Sequence, residues 1–208
     1  MRTEELADPS ADDDDAAGGP DPDAVDARLA ARLAELRAER GWTLEELADR
    51  SGVSRSTLSR AERGETSPTA ALLNRLCHVY GRTMSRLLGE VEAASAPVPV
   101  LRAADQRVWE DRASGFVRRS VSPPHPALRG ELVEGRLLPG ADIAYDRPPV
   151  AGLEQHVWVL DGTLAVTADA TEHRLDAGDC LRLRVWGPTR FRCLGDTGAR
   201  YVLAVVLP

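Results

Sequence analysis

Between Val25 and Leu88 the apolar positions recur with a helical period. Val25, Leu29, Leu33 and Leu36 stand at i, i+4, i+8 and i+11 and form one stripe that stops before Gly41. A second helix opens after Thr43, where "TLEE" sets Glu46 three residues beyond the cap, the spacing of a reciprocal capping box. That helix buries Leu47 and Ala48. After the short "SGV" turn, Ser54 caps a third helix that runs through Leu58 and Ala61 and is ended by Gly64. "SPTAALLNRLCHVYG" predicts a fourth, with Ser67 as cap, Pro68 in the first helical position and Gly81 as the stop. "TMSRLLG" predicts a brief fifth.

The period changes after "EVEAASAPVPV", residues 90–100, a linker of small residues and proline. The segments "FVRRSV", "GELVEGRLL", "HVWVL", "TLAVTA", "HRLDAGD", "CLRLRV", "RFRC" and "YVLAVVL" are β-branched or alternating, and Pro, Gly and Asp separate them. This spacing predicts an all-β sandwich or barrel over residues 101–208. "LDGTL" predicts a hairpin, because Asp-Gly suits the left-handed positions of a two-residue turn.

Composition adds an N-terminal tail and a charge asymmetry. Residues 1–24, including "ADDDDAAGGPDPDA", have too few large apolar side chains to offset the entropy of ordering and are expected to be disordered. The net charge of -7 is unevenly spread. Residues 1–27 hold ten acids and one arginine, whereas residues 28–89 hold eleven arginines and seven acids. A negative total therefore does not exclude a nucleic-acid partner for the helical part. No apolar stretch approaches the roughly 18–20 residues of a membrane span, and the N-terminus lacks a signal-peptide pattern, so a soluble cytoplasmic protein is expected. Cys77, Cys180 and Cys193 have no metal-type spacing and are read as reduced.

The segment "TLEELADRSGVSRSTLSRAERG" is two short helices joined by a glycine-containing turn, the helix-turn-helix arrangement, spanning about 43–63. With Leu47, Ala48, Val53 and Leu58 locking the pair together, Arg55, Ser56, Ser59 and Arg60 fall on the opposite face of the third helix. Arginines and short hydroxyls are what a base-edge reader uses. Glu62, which DNA would repel, is expected to pair with an arginine of the same domain, and Cys77 and His78 are expected to pack within the fourth helix. From about Arg28 to Leu88 the chain resembles the lambda-repressor-like, xenobiotic-response-element helix-turn-helix family. The resemblance implies a five-helix DNA-binding domain over 25–89, with Arg55, Ser56 and Arg60 reading bases and Ser59 and Arg63 on phosphate. Leu44 departs from the family pattern, in which a glutamine often anchors the second helix to DNA.

"LPGADI", "EQHVWVLDGTL", "RLDAGDCLRL" and "GPTRFRC" resemble the motifs of a cupin, a small jelly-roll barrel, from about Val100 to Pro208. Metal-binding cupins carry three histidines and a glutamate pointing into the barrel. Here the glutamate position falls on Gln155, two histidine positions fall in "PPVA" at 148–151, and the last falls on Thr189. Such neutral groups are weak ligands for a divalent ion, so no metal and no cofactor are expected. Side chains alternate along a strand, so if Gln155 points inward, His156 points away; the assignment turns on one residue of register. Gln155, Val157, Thr189, Phe191 and Cys193, with Val159, then describe either a mostly apolar ligand pocket or plain barrel packing. His125 and His173 are expected at the surface, and Arg182 and Arg184 outside the barrel.

The fold expected is thus an α + β multidomain chain, a five-helix lambda-repressor-like domain followed by a cupin-type jelly roll. The function expected is a sequence-specific transcriptional regulator, not an enzyme, that binds operator DNA as a homodimer. Its metal-free barrel would sense a small molecule, dimerise, or both. Two other classes stay open: a cupin enzyme of dioxygenase or isomerase type with a DNA-targeting head, and a barrel used only for protein interaction.

Overall fold

The computed structural model describes residues 22–91, 99–125 and 128–208. Helix α1 (Pro22–Glu39) already includes residues 22–24, which corrects the end of the tail; the rest of the disorder expected for 1–24 lies outside the described residues. The remaining helices are α2 (Leu44–Ser51), α3 (Arg55–Glu62), α4 (Ala70–Tyr80) and α5 (Met84–Val91). The capping box at α2 forms as the spacing predicts: Glu46 N–H donates to the Thr43 hydroxyl, and Thr43 N–H to the Glu46 carboxylate at 2.7 Å. Ser54 caps α3 by accepting from Thr57 N–H at 3.2 Å.

Two helix ends differ from expectation. The cap of α4 is Thr69, whose hydroxyl accepts from Leu72 N–H, so Ser67 and Pro68 lie outside the helix; the Ser67 hydroxyl bonds Asp26 of α1 instead. Helix α5 runs through Gly89 to Val91, two residues into the expected linker, because Leu87, Leu88 and Val91 all have buried partners. Linker residues 92–98 lie outside the described residues.

Ten strands follow: β1 (Val108–Asp111), β2 (Phe116–Ser122), β3 (Gly130–Leu137), β4 (Asp142–Tyr145), β5 (Leu153–Asp161), β6 (Thr163–Ala168), β7 (Thr171–Asp176), β8 (Cys180–Val185), β9 (Thr189–Cys193) and β10 (Ala199–Val206). They form a six-stranded sheet in the order β1-β2-β3-β10-β5-β8 and a four-stranded sheet in the order β4-β9-β6-β7, with every paired neighbour antiparallel. The chain passes repeatedly from one sheet to the other, the topology of a jelly roll.

One of those passages overturns the hairpin expected at "LDGTL". Strands β5 and β6 belong to different sheets and do not pair; Gly162, at φ +76°, turns the chain between them. A Cβ there would lie 2.2 Å from the Gly198 carbonyl oxygen, so the crossing needs glycine for space as well as for conformation. The tight hairpin is instead β6–β7, whose two loop residues, Asp169 at φ 49° and Ala170 at φ 62°, are both left-handed. That is the backbone of a type I′ turn, formed without glycine.

Candidate nucleic-acid interface and ligand cavity

Helix α3 is fastened by Leu58 and Ala61, each 1% exposed, and by Glu62. Arg37 of α1 grips the Glu62 carboxylate with two groups, Nε at 2.8 Å and Nη2 at 2.7 Å, while its Nη1 donates to the Trp42 carbonyl. Hydrogen bonding to Glu62 raises the Arg37 pKa above its ordinary value. Glu62 thus holds α3 against α1 as its position implied, and it is more buried than a surface ion pair. With the inner face fixed, Arg55, Ser56, Ser59, Arg60 and Arg63 share one shallow concave surface with Glu65. Among the described residues Arg55 and Arg60 enter no ion pair, whereas Arg63 is tied by Nε to Glu65 at 2.7 Å and by Nη1 to the Ser59 hydroxyl. Glu65 is a member of this surface that sequence patterning missed. Leu44, at the start of α2, packs partly buried against the hydrophobic core.

Between the two sheets lies a cavity of about 90 Å³. Gln155, Thr189 and Phe191 line it, as the inward alternation requires. Val157 and Cys193 are corrected: they face the interior but sit in the packed core outside the lining, and the Cys193 thiol is turned to the Gly195 carbonyl. His156 pairs across the sheet with Arg182 and Ala204, on the face opposite Gln155. Arg182 and Arg184 are exposed, and His173 is half-buried.

Most of the lining escaped the sequence reading, including the polar side chains of Arg118 of β2, Glu131 of β3, Tyr145 of β4 and Tyr201 of β10. Burial lowers the Arg118 pKa from the ordinary arginine range and raises those of both phenols. The Tyr201 ring stacks on Phe191 at 5.9 Å and lies over Gly135, where a Cβ would come within 2.3 Å of it. Gly135 makes the room for that ring. Nothing in the strand alternation distinguishes a buried charge such as Arg118 or Glu131 from an outward one until the pairing partners are known.

The cavity is not closed by the sandwich alone. Asn74 of α4, Thr83, and Met84 and Ser85 of α5 complete its wall. Each side of this junction is hydrogen bonded. Asp111 at the end of β1 accepts from Ala70 N–H, in the first turn of α4, at 2.7 Å; Asn74 donates to the Arg147 carbonyl at 2.7 Å; and the His78 ring meets the Pro148 carbonyl through Nδ1 at 2.8 Å. The Arg147 guanidinium donates to His78 Nε2 at 3.5 Å, so Nδ1 carries the proton and donates to Pro148. His78, expected as a packing residue, is therefore a bridge between the helices and the barrel, while Cys77 beside it is fully buried and its thiol is pushed up to about 12. On α5, the Thr83 hydroxyl caps Arg86 N–H and donates to Glu131 Oε1 at 2.9 Å, and Arg118 Nη2 donates to the Ser85 hydroxyl. The two buried charges of the cavity thus both hold the first turn of α5.

The donor set does not suit a metal ion. At the positions where cupins hold metal the cavity offers Pro148, Pro149, Gln155 and Thr189, and the buried guanidinium of Arg118 repels a cation.

A capped helix pair presenting arginines and serines, joined to a jelly roll, defines a DNA-binding regulator with an appended β domain. Comparison with known proteins gives the family. A helix-turn-helix family model matches residues 33–87. The chain is 30% identical over 154 residues to the HTH-type transcriptional regulator SutR of Escherichia coli (strain K12), covering 74% of this chain and 80% of that protein. It is 26% identical over 160 residues to the HTH-type transcriptional regulator PuuR of the same organism, covering 77% and 84%. A crystal structure of an HTH_3 family transcriptional regulator from Vibrio cholerae superposes with a TM-score of 0.74 at 22% identity, over 89% of this chain and 99% of that one. The chain belongs to the XRE-type helix-turn-helix transcriptional regulators.

Proposed function

We propose that this regulator recognises a specific operator as a homodimer and that its jelly roll, without metal or cofactor and without a reaction of its own, binds a small effector that alters DNA binding. The observation that carries this reading is the shared wall of the cavity: Thr83, Met84 and Ser85 on the helical side and Arg118, Glu131 and Gln155 on the barrel side line one space. An occupant touches both domains at once. It has a route to differential affinity for two arrangements of the heads, without which no ligand can shift an equilibrium. Arg55, Ser56 and Arg60 are assigned to base edges and Ser59 and Arg63 to phosphate.

Dimerisation follows from the small footprint of one recognition helix, since two half-sites multiply specificity. The outer face of the six-stranded sheet supports a second copy of the chain as its cover: Trp158 is 50% exposed and Leu132 40%, with Val202 and Ala204 between them in adjacent rows.

The test has two stages. Selection from genomic DNA defines the operator, and a metabolite library is screened for compounds that raise the melting temperature of the full chain, as any ligand of the folded state must. A stabilising compound is expected to change operator affinity at least fivefold. Stabilisers that leave that affinity unchanged would overturn the coupling. A stoichiometric metal ion in the purified protein would overturn the metal-free reading.

A further inference from the structure

We propose that the cavity takes a small amino-carboxylate zwitterion, a free amino acid in chemical class, with its carboxylate on Arg118 and its ammonium between Glu131 and Gln155. This rests on the reading of the barrel as an effector-binding domain. The first observation is a pair of orphaned acceptors. Glu131 is only 3% exposed; its Oε1 accepts from Thr83, but Oε2 has no partner, and neither has the buried Oε1 of Gln155. Both residues line the cavity. In the sheet, Val205 of β10 pairs with Glu131 on one side and Gln155 on the other. The three therefore share a row, and the two acceptors flank Val205 about 10 Å apart at their Cα atoms, close enough for both side chains to reach one group. Buried acceptors without donors cost free energy, and an ammonium brings three donors.

The second observation is the opposite chemistry at the other end. Arg118 is buried, and among the described residues it makes one hydrogen bond, to Ser85. Its planar fork has five donors and matches a carboxylate. Arg118 pairs with Gly135, four residues along β3 from Glu131, an offset of roughly 13 Å between backbones that the two side chains shorten to the span of a small molecule. Val133, Leu203 and Phe191 line the cavity as its apolar middle. At about 15 Å³ for each water-sized site, the volume holds about six waters, the scale of a small amino acid.

Charge balance excludes the simpler ligands. A plain cation satisfies Glu131 but meets the guanidinium, and a plain carboxylate satisfies Arg118 but meets Glu131. A zwitterion answers both ends. It also engages the two side chains that hold Ser85 and Thr83, so its binding bears directly on the first turn of α5.

The experiment is calorimetric titration and thermal melting of the full chain with L-alanine, L-serine, L-norvaline and 4-aminobutanoate, with acetate and methylammonium as controls at equal concentration. At least one zwitterion is expected to bind and raise the melting temperature while neither control does. Gln155→Met keeps the volume, removes the acceptor and is expected to weaken that binding about tenfold without loss of folding. Arg118→Met is expected to abolish it, with folding checked by circular dichroism. Stabilisation by acetate or methylammonium equal to that by the amino acids, or unchanged affinity in Gln155→Met, overturns the zwitterion. If other metabolites stabilise the chain and these do not, the ligand class is wrong and the effector reading stands; if nothing in the library stabilises it, both fall.

Discussion

Arg55 and Arg63 both face outward from the third helix, yet they are held differently. Arg55 enters no ion pair among the described residues, while Arg63 is fixed by Glu65 and Ser59. A side chain at the start of the helix with its fork open suits a base edge; one already neutralised in part suits a phosphate. Arg55→Ala is expected to cost about 1–3 kcal/mol at the preferred operator and to flatten sequence preference. Arg63→Ala should weaken operator and random DNA alike and reduce the salt slope by about one. Anisotropy titrations on both DNAs across a salt series check the division; equal behaviour of the two variants refutes it. Gly135 is a residue of another kind, present for what it lacks. Gly135→Ala pushes a methyl group into the Tyr201 ring, which Phe191 backs, and should destabilise the fold by about 1–3 kcal/mol in chemical denaturation.

Among the elements, the helices were the most legible, because a 3.6-residue stripe and a capping box are local signals; tertiary contacts moved only the start of α4 and the end of α5. The strand alternation likewise placed Gln155 inward and His156 outward. What stayed hidden was the topology. Asp-Gly at 161–162 has the chemistry of a hairpin turn but serves a sheet crossing, and the actual I′ turn uses Asp169-Ala170, which carries no glycine signal. Two short strands, β1 and β4, were also missed as separate elements; four residues are too few for a period to show. The I′ turn holds Ala170 in a left-handed conformation that penalises its Cβ, so Ala170→Gly should raise stability by about 0.5–1 kcal/mol, measured by urea unfolding. On β3, Glu134 is buried on the outer face among Arg119 at 2.6 Å, Arg136 at 3.2 Å and Arg200 at 3.7 Å. Burial opposes its ionisation, but the hydrogen bonds from Arg119 and Arg136 outweigh that and hold its pKa below the ordinary 4.5. A depressed carboxylate contributes stability above its unfolded value and loses it as pH falls through the folded one. Unfolding free energy should therefore drop as pH falls below about 4.5, and Glu134→Gln should flatten that part of the curve.

At the scale of the whole molecule, the sequence separates head from barrel by a linker, whereas the structure joins them through side-chain hydrogen bonds and the Arg75–Asp146 ion pair, none of which a local pattern announces. Thr83 and Ser85 are far in the chain from Glu131 and Arg118, as Asn74 and His78 are from Arg147 and Pro148, and their meeting depends on how α4 and α5 lie across the mouth of the jelly roll. The site was legible only where it followed strand parity, as at Gln155, Thr189 and Phe191. The outer sheet face carries the remaining prediction: Trp158→Glu should shift the chain from dimer to monomer in sedimentation velocity and weaken operator binding, while the monomer keeps the circular dichroism of the folded chain. Asp111 has a broader consequence. It belongs to the barrel, yet it satisfies a backbone donor in the first turn of a head helix, and its other oxygen orders Ala113 and Ser114 beside it. The boundary of the inheritable unit is thus not the boundary drawn by the linker. A hybrid regulator spliced at residues 90–100 would carry a head deprived of a foreign cap, and new input specificities are better obtained by changing the lining of this cavity than by exchanging the barrel around it.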